Sequence, residues 1–457
     1  MGKSNPMGRG GRYQEHCLPY NPGWDPQPKI RPHFTPWSIW IQERRYGVLS
    51  IFNMKKKAWY LGVGRNSHYR LAMAVNSAWA VPAVLLMRVL SPLIQIRICK
   101  IYSERIGHFC SDVSEQIARQ QSKNIRSLDL YYFGEVSNTQ WEIMSKRTNL
   151  IVAPSIIRFI DRWNRLIPGG NAFTLQSSAT ESRDIEGLYH YRDSSIPFTE
   201  EENTIGYEYL KTKGWKIGEP FICLLVRDSG YLKSRYPNSD SSYHDYRNSE
   251  IQTYRTAMEW LVSQGVWVMR MGKFMNKPFD TGASKIIDYA FDAERSDLLD
   301  IWLFANCAAV ISCGAGLDVI SAIYRKPQLF LNAIPMIEMW TFSDSMWSFK
   351  HLKHETTGKD LTLSEYLSVE FRHTSSYSRA GIKILDQSET EILEVVNEFW
   401  DKFCGKEIQD SNNSKRQEIL MAFLRSSSGY KRLHGWQHPN FRVSNRWLSS
   451  QSNDFFS

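Results

Sequence analysis

Short apolar runs alternate with amphipathic segments through the middle of the chain. Leu93–Tyr102, Leu128–Gly134 and Asn149–Pro154 are runs of the kind that forms buried strands. Between the first two, Ser103–Gln120 carries apolar residues at near-helical spacing, which predicts a helix. Strand, helix and strand at this pace predict βαβ units and a parallel sheet, and Pro168–Glu202 reads as a loop.

The second half repeats this alternation more clearly. Its predicted strands are Phe221–Asp228, Val266–Gly272, Lys285–Ala290, Ala308–Gly314 and Gln328–Asn332. Predicted helices fill the intervals, one closed by Gly265, one capped by Ser296 and one over Leu317–Arg325. A long polar stretch, Ser229–Glu250, has too few apolar residues to build a core of its own.

We therefore predict an α/β protein with two facing Rossmann-like domains. An irregular extension covers residues 1–90, the first domain 91–205, the second 206–400, and a tail over 401–457 packs back onto them. Ligands on such sheets bind at the carboxyl ends of the strands, so the predicted site lies in the cleft between the domains.

The apolar segment Leu71–Met87 is the best membrane candidate in the sequence. It follows a basic stretch and contains Asn76, Ser77 and Pro82, and it is slightly shorter than the about 18–20 residues that a spanning helix needs. Two interpretations stay open, a helix of the core and a helix lying on the cytoplasmic leaflet of a membrane. The polar, basic start of the chain carries no apolar signal segment, which favours a cytoplasmic location.

Composition narrows the class of ligand. The 457 residues carry a net charge of +9, and this surplus favours phosphate-bearing molecules, polyanions or anionic membrane surfaces. No zinc-finger spacing or aromatic RNA-binding signature accompanies the charge, so we expect no nucleic-acid partner. The seven cysteines form no C-x-x-C pair and several sit in apolar runs, which indicates reduced thiols in a reducing compartment.

Candidate chemistry gathers at the predicted strand ends. The turn Ser312–Gly316 brings a strand to a helix through small residues, and its backbone amides could approach a diphosphate or could only make a tight turn. Neither G-x-G-x-x-G nor the P-loop pattern is present. Other strand ends add charged or flexible residues, each of which could instead form a surface ion pair: Arg227, Asp228, Arg270, Gly272 and Lys273.

The first half contributes a second group of candidates. Arg105, Gly107 and His108 follow the first predicted strand directly and would face the cleft. Histidine is the usual general base near neutral pH, although a lone histidine is more often structural. Three carboxylates at strand ends or loops cannot be ranked from the sequence: Glu104, Asp193 and Asp228.

Several stretches together resemble a family of bacterial glycosyltransferases of surface polysaccharide synthesis, such as capsule or lipopolysaccharide, with a GT-B-like fold. The stretches are "SERIGHF", "YYFG", "FICLLVRDSGYL", "VMRMG" and the segment that contains "SCGAGLD". The resemblance covers about Leu93–Phe399 and is strongest over Phe221–Asn332.

The resemblance implies a nucleotide-sugar donor in the C-terminal domain, a glycan or lipid-linked acceptor in the N-terminal domain, and peripheral association with the inner membrane. It implies no cofactor and no metal. The implied catalytic residues are His108 as base and Arg227 and Arg270 as leaving-group stabilisers. The resemblance also implies diphosphate contacts by Ser312, Gly314, Ala315 and Gly316, and contacts of Asp318 and Glu338 with ribose or sugar hydroxyls. The other candidates come from their places at predicted strand ends, Asp228 as a catalytic residue and Arg105, Gly107, Gly272 and Lys273 as substrate-binding residues.

Two alternatives to a glycosyltransferase stay open. The same cleft could support a nucleotide-sugar epimerase or hydrolase, which would act with no acceptor present. It could also belong to a non-catalytic module that binds sugar nucleotides or protein partners.

Overall fold

The computed structural model describes residues 75, 77–121, 126–149, 151–235, 240, 242–280, 282–406 and 411–456. The predicted extension therefore lies outside the described residues up to residue 74.

The described chain alternates strands and helices. The strands are β1 (Gln95–Ile101), β2 (Ser127–Phe133), β3 (Thr174–Leu175), β4 (Phe221–Leu225), β5 (Trp267–Arg270), β6 (Ile286–Ile287), β7 (Ala309–Ser312), β8 (Gln328–Ala333), β9 (Ser345–Phe349), β10 (His351–His354), β11 (Ile382–Leu385) and β12 (Arg442–Val443). The helices are α1 (Ala80–Val89), α2 (Ile106–Gln120), α3 (Thr139–Ser145), α4 (Pro154–Leu166), α5 (Leu188–Tyr191), α6 (Glu200–Thr212), α7 (Gly230–Arg235), α8 (Arg255–Ser263), α9 (Asp297–Asn306), α10 (Asp318–Ile323), α11 (Leu363–Ser368), α12 (Thr374–Arg379), α13 (Glu389–Phe403), α14 (Ser411–Ser426), α15 (Tyr430–Leu433) and α16 (Asn445–Ser450). Short 3-10 helices cover Gly170–Phe173, Ser242–Arg247, Ile251–Tyr254, Tyr289–Phe291, Met336–Glu338 and Asn453–Phe456.

The N-terminal unit is built on a small parallel sheet of order β2-β1-β3. Neighbouring residues of β1 point to opposite faces of this sheet. Ile98 packs in a cluster with Met87 of α1 and Ile157 of α4. Cys99 packs in a different cluster with Phe109 of α2. Helices therefore cover both faces, as parallel sheets require.

The C-terminal unit contains a seven-stranded parallel sheet within the described residues, of order β12-β9-β8-β7-β4-β5-β6. Six of these strands, in the order β6-β5-β4-β7-β8-β9, follow the order of a Rossmann sheet. Every residue of β4, β5, β7, β8 and β9 is buried, which explains why these strands are predominantly apolar in the sequence. The topological switch point lies where the carboxyl ends of β4 and β7 meet.

These two sheets confirm the predicted α/β fold class with two Rossmann-like units. The domain boundaries themselves stay predictions. Two predicted strands are shorter than expected: Asn149–Pro154 contributes a single parallel bridge from Ile151 to Tyr131, and Lys285–Ala290 only the two residues of β6. In the first case Pro154 begins α4, and in the second the chain turns into a 3-10 helix at Tyr289.

The predicted loop Pro168–Glu202 contains β3 and α5. Both elements are too short to produce a periodic pattern, since β3 has only two residues and α5 four. β3 nevertheless completes the N-terminal sheet by pairing with β1 from Ile98 to Cys99.

The apolar segment Leu71–Met87 enters α1 at Ala80. Ala80, Val84 and Met87 of α1 are buried, and the helix packs against α4. Its opposite face is exposed: Leu85 is 51% and Leu86 57% accessible. No helix among the described residues is both long and apolar enough to cross a membrane.

The two units are joined by contacts at several places. The Asn138 side-chain amide at the start of α3 donates to the backbone oxygen of Asp297 at the start of α9 (2.9 Å). The half-buried Arg183 donates to the backbone oxygens of Glu338 (3.0 Å) and Leu433 (3.0 Å). The predicted tail also reaches both units, since β12 pairs with β9 and the Trp436 amide donates to the Ile185 oxygen (2.7 Å).

Candidate functional site

The site lies at the switch point of the C-terminal sheet, where β4 and β7 end side by side. The β7–α10 turn contains Gly314 with φ +86°, a left-handed conformation that glycine adopts without strain. Gly316 is exposed. The β4 end is tied to this turn, because the Arg227 amide donates to Cys313 Sγ (2.9 Å) and the Cys313 amide donates to the Leu225 oxygen (3.2 Å).

The turn is closed from within by Asp318, which corrects part of the predicted diphosphate site. Asp318 Oδ2 accepts hydrogen bonds from Ser312 Oγ (2.9 Å) and the Ala315 amide (2.5 Å), and the Gly314 amide donates to Ser312 Oγ (3.1 Å). These donors already have acceptors, and both Ser312 and Asp318 are fully buried. Because Asp318 is fully buried, it is not accessible to ribose or sugar hydroxyls. Of the four predicted diphosphate contacts Ser312, Gly314, Ala315 and Gly316, Gly316 is the exposed one.

A cluster of positive side chains surrounds this turn. Arg227 follows β4, and Arg247 ends the Ser242–Arg247 3-10 helix and donates from Nη2 to the Gly314 oxygen (2.8 Å). Burial, followed by the charge of Arg247, lowers the pKa of Arg227 to about 10, so the Arg227 guanidinium is still charged at neutral pH. Arg105 lies at the start of α2 in the other unit. Its charge helps to lower the pKa of His244, as do the charges of Arg227 and Arg247, so all three arginines act on the same imidazole. Among the described residues, none of these three arginines makes an ion pair with a carboxylate.

His244 lies within this cationic cluster. Its ring centroid is 4.0 Å from that of Tyr243, and its Nδ1 is buried with no hydrogen-bond partner in the described part of the chain. Burial and then the charges of Arg227, Arg247 and Arg105 lower its pKa to about 4. The imidazole is therefore neutral at pH 7 although it is surrounded by cations.

The N-terminal unit meets this cluster through the β1–α2 turn. A Cβ added at Gly107 would lie 3.0 Å from the Gly316 oxygen, so the two turns approach at glycine distance. His108 is exposed beside Tyr102, with ring centroids 5.3 Å apart, and its pKa is lowered by burial and by Arg105. Arg105, Gly107 and His108 thus lie where the N-terminal unit approaches the β7–α10 turn.

Glu104 immediately precedes Arg105 in the connection from β1 to α2. Its Oε1 lies 3.5 Å from Lys100 Nζ, and its Oε2 is buried with no hydrogen-bond partner among the described residues. Its side chain also lies against Gly134, where an added Cβ would come within 2.7 Å of Oε1. A carboxylate with an unused oxygen can accept a proton.

Arg270 does not lie with the cluster, which corrects its predicted role. Its side chain is 1% exposed, Nη1 pairs with Asp288 (2.8 Å), and Nη2 donates to the Lys277 oxygen (3.0 Å). Its guanidinium also stacks over the ring of Phe291 at 5.3 Å. A buried arginine with these partners stabilises the loop after β5 and has no surface left for a leaving group.

The remaining candidates hold loops in place. Asp228 accepts from the amides of Gly230 and Asn276, both at 2.7 Å, and so fixes the two loops that follow β4 and β5. Lys273 pairs with Asp297 (3.0 Å). Gly272 is buried. The Glu338 carboxylate forms an ion pair with Arg372 (3.1 Å).

Arg247 and His244 are the residues that the sequence analysis missed. They lie in the polar stretch Ser229–Glu250, which has no periodic pattern. The available signal was its position, because a long loop that leaves the first strand of a Rossmann sheet borders the switch point. Among the described residues, no group of three or more histidine, cysteine or acidic side chains is arranged to hold a metal ion.

The fold and this cleft define an α/β protein of two Rossmann-like units with a cationic switch point. The sequence matches no protein-family profile and no curated protein. Solved structures give distant likenesses. The ADP-heptose lipopolysaccharide heptosyltransferase II of E. coli is 12% identical, with a TM-score of 0.33 over 52% of this chain and 84% of that one.

Two further structures are similarly distant. A glycosyl transferase of family 9 from Veillonella parvula is 9% identical, with a TM-score of 0.40 over 69% of this chain and 99% of that one. A wall teichoic acid polymerase is 10% identical, with a TM-score of 0.25 over 78% and 99%. At this distance neither activity nor substrate transfers from these proteins to this chain.

Proposed function

We propose that the chain is a glycosyltransferase of GT-B type. In this proposal it moves a sugar from a nucleotide-sugar donor to a glycan or lipid-linked acceptor in surface polysaccharide synthesis, at the cytoplasmic face of the inner membrane and without a bound metal. The observation that carries the proposal is the cluster of Arg105, Arg227 and Arg247 at the switch point, which has no ion-paired carboxylate among the described residues.

Unpaired cations at this place suit a diphosphate. Arginine presents a planar fork of donors that matches phosphate oxygens, and a partly buried position strengthens each charge-assisted bond. Burial first, and then the neighbouring charge of Arg247, lower the pKa of Arg227, so holding this guanidinium charged here costs free energy in the absence of an anion. A donor diphosphate would relieve it.

The same cations would assist the chemical step. An acceptor hydroxyl oxygen forms a bond to the anomeric carbon as the bond from that carbon to the diphosphate oxygen breaks. The electron pair of the broken bond leaves with the diphosphate, where Arg227 and Arg247 stabilise the developing charge. This is the role that a metal ion plays in other transferases, and it would make one unnecessary here.

The acceptor proton needs a base on the N-terminal side. His108, exposed and with a lowered pKa, is neutral near pH 7 and can accept a proton. Glu104 is the second candidate, because its Oε2 is unused. Glu104 lies in the β1–α2 turn and His108 in the first turn of α2, next to Gly107, which contacts Gly316 of the other unit, so either could reach a hydroxyl held in the cleft.

The test is turnover of nucleotide sugars by the purified protein. UDP-, GDP-, ADP-, dTDP- and CMP-sugars are incubated with bacterial glycan and lipid extracts, with and without EDTA, and products are read by mass spectrometry. We expect acceptor-dependent transfer that EDTA does not abolish, and a loss of about a hundredfold in Arg227→Ala.

The exposed Arg425 of α14 provides a matched control, since Arg425→Ala removes an equal charge far along the chain from the cluster. Product formed without acceptor would indicate an epimerase or hydrolase instead. Binding of nucleotide sugar with no turnover under any condition would indicate a non-catalytic module.

A further inference from the structure

A second basic feature lies in the N-terminal unit, apart from the cation cluster. A cavity of about 450 Å³ opens at the carboxyl edge of the small sheet, between the ends of β1 and β2 and the helix α4. This volume is in the range of small-molecule binding sites. It could hold a phosphate group together with part of the molecule that carries it.

The walls of the cavity carry a surplus of positive charge. Four basic residues and one carboxylate line it: Lys100, Arg158, Arg162, Arg165 and Asp161. The carboxylate is already engaged, because Asp161 pairs with Arg165 Nε (3.0 Å) and accepts from the Tyr132 hydroxyl (2.9 Å). Arg162 is exposed and makes no ion pair within the described residues. The cavity therefore offers guanidinium and ammonium donors to an anion.

The rim of the cavity is apolar and open to solvent. Leu166 at the end of α4 is 63% exposed and Trp79 is 48% exposed, and Trp79 packs edge-on against Phe159 of the cavity wall at 6.0 Å. α1 packs against α4, and the face of α1 that points away from this contact exposes Leu85 and Leu86 to solvent. A basic pocket beside exposed apolar side chains suits a phosphate carried on an apolar chain.

The cavity lies across one turn from the cation cluster. Gly134 of its wall contacts the Glu104 side chain, and Lys100 lies 3.5 Å from the same carboxylate. The next residue, Arg105, belongs to the cation cluster. A molecule anchored in the cavity would thus extend past Glu104 toward the bound diphosphate.

We propose that this cavity binds the phosphate ester group of the acceptor, with Arg162 and Lys100 as its anchors. That the bound molecule is an acceptor rests on the proposed function. Phosphate binding in the cavity itself can be tested without any transfer reaction. Phosphate esters reach such a site either from a lipid or from a soluble sugar phosphate, and the apolar rim favours the lipid.

The experiment measures binding of two probes to the full chain. Glucose 1-phosphate is titrated calorimetrically, and phosphatidylcholine vesicles with or without phosphatidic acid are tested by co-sedimentation. We expect binding of at least one probe to weaken about tenfold in Arg162→Ala and further in the Lys100→Ala, Arg162→Ala double variant. Arg425→Ala is expected to match the wild type.

The outcomes separate the sources and the proposals. If the lipid is the source, Leu85→Ser with Leu86→Ser loses vesicle binding but keeps the response to glucose 1-phosphate. No binding of either probe, or binding that ignores Arg162 and Lys100, overturns the cavity proposal. In that case, retained pyrophosphate binding by the Arg162 variant shows that the cation cluster binds its ligand without the cavity. If instead the cavity binds phosphate but the protein transfers no sugar, the proposed function is wrong and the cavity proposal is not affected.

Discussion

The environment of each arginine, rather than its position at a strand end, decides what it can do. Arg227 follows β4 and Arg270 is the last residue of β5, two neighbouring buried strands of the same sheet. Arg270 is neutralised by Asp288 and shielded by Phe291, whereas Arg227 is next to Arg247 and makes no ion pair among the described residues. The first is a structural group and the second is the candidate for ligand binding.

His244 gives the clearest prediction at this scale. Its pKa of about 4 lies below the ordinary histidine value of about 6.5, so between these values the unfolded chain binds a proton that the folded chain excludes. Stability contributed by His244 therefore rises with pH through this window. A bound diphosphate adds negative charge and raises the pKa, so binding near pH 5.5 should take up a proton that binding near pH 8 does not.

Calorimetric titration of pyrophosphate in two buffers of different ionisation enthalpy measures this uptake. His244→Gln removes the titrating group and is expected to reduce the proton uptake. The uptake that remains comes from ionisation of pyrophosphate itself. Equal proton uptake by the variant and the wild type at pH 5.5 would contradict the placement of His244 beside the anion.

At the scale of single elements, the β7–α10 turn depends on Asp318. Burial raises the pKa of Asp318 to about 7, so between about pH 4 and pH 7 the folded state keeps a proton that the unfolded chain has lost. Its contribution to stability therefore falls as pH rises through this window. Asp318→Asn keeps a carbonyl acceptor for Ser312 and Ala315 and removes the ionisation.

Urea unfolding at several pH values tests this. We expect the difference in free energy of unfolding, Asp318→Asn minus wild type, to increase by about 1–3 kcal/mol as the pH rises from 5 to 8. The exposed Asp401 supplies the control, because Asp401→Asn removes a carboxylate in contact with solvent. A difference between Asp318→Asn and wild type that is the same at all pH values would show that the carboxyl does not titrate there.

The elements also show how far sequence reasoning reaches. The buried parallel strands and their helices follow from apolar runs, and Ser296 caps α9 as predicted by accepting from the Leu299 amide. The sequence predicts the turn at Gly314. It does not predict that Asp318 accepts the hydrogen bonds of Ser312 and Ala315, because only the fold shows that Asp318 points inward. The contribution of Arg247 was missed because a polar stretch gives no periodic signal about where it packs.

At the scale of the whole molecule, two sheets meet through two glycine turns. Gly107 and Gly316 set the distance between the units, and the candidate base and the cation cluster lie on opposite sides of that contact. Gly107→Ala inserts a methyl group 3.0 Å from the Gly316 oxygen, so the turns must separate by a few tenths of an ångström.

We expect Gly107→Ala to lower the turnover of transfer several-fold while pyrophosphate binding changes little, because the donor cluster lies mostly in one unit and the reacting groups in two. Gly405→Ala is the comparison. Gly405 has φ +70° and no neighbour within 4 Å, so its variant is expected to lose stability by about 1 kcal/mol and keep turnover. Undiminished transfer by Gly107→Ala would mean that the contact does not position the reaction.

The central claim is that the switch point binds a diphosphate through arginines that form no ion pair within the described part of the chain. Calorimetric titration of inorganic pyrophosphate in the presence of EDTA tests this claim most directly. The account predicts binding to the wild type and to Arg425→Ala, and affinity at least about tenfold lower in Arg227→Ala and in Arg247→Ala. Absence of binding to the wild type, or equal affinity in all four proteins, would contradict it.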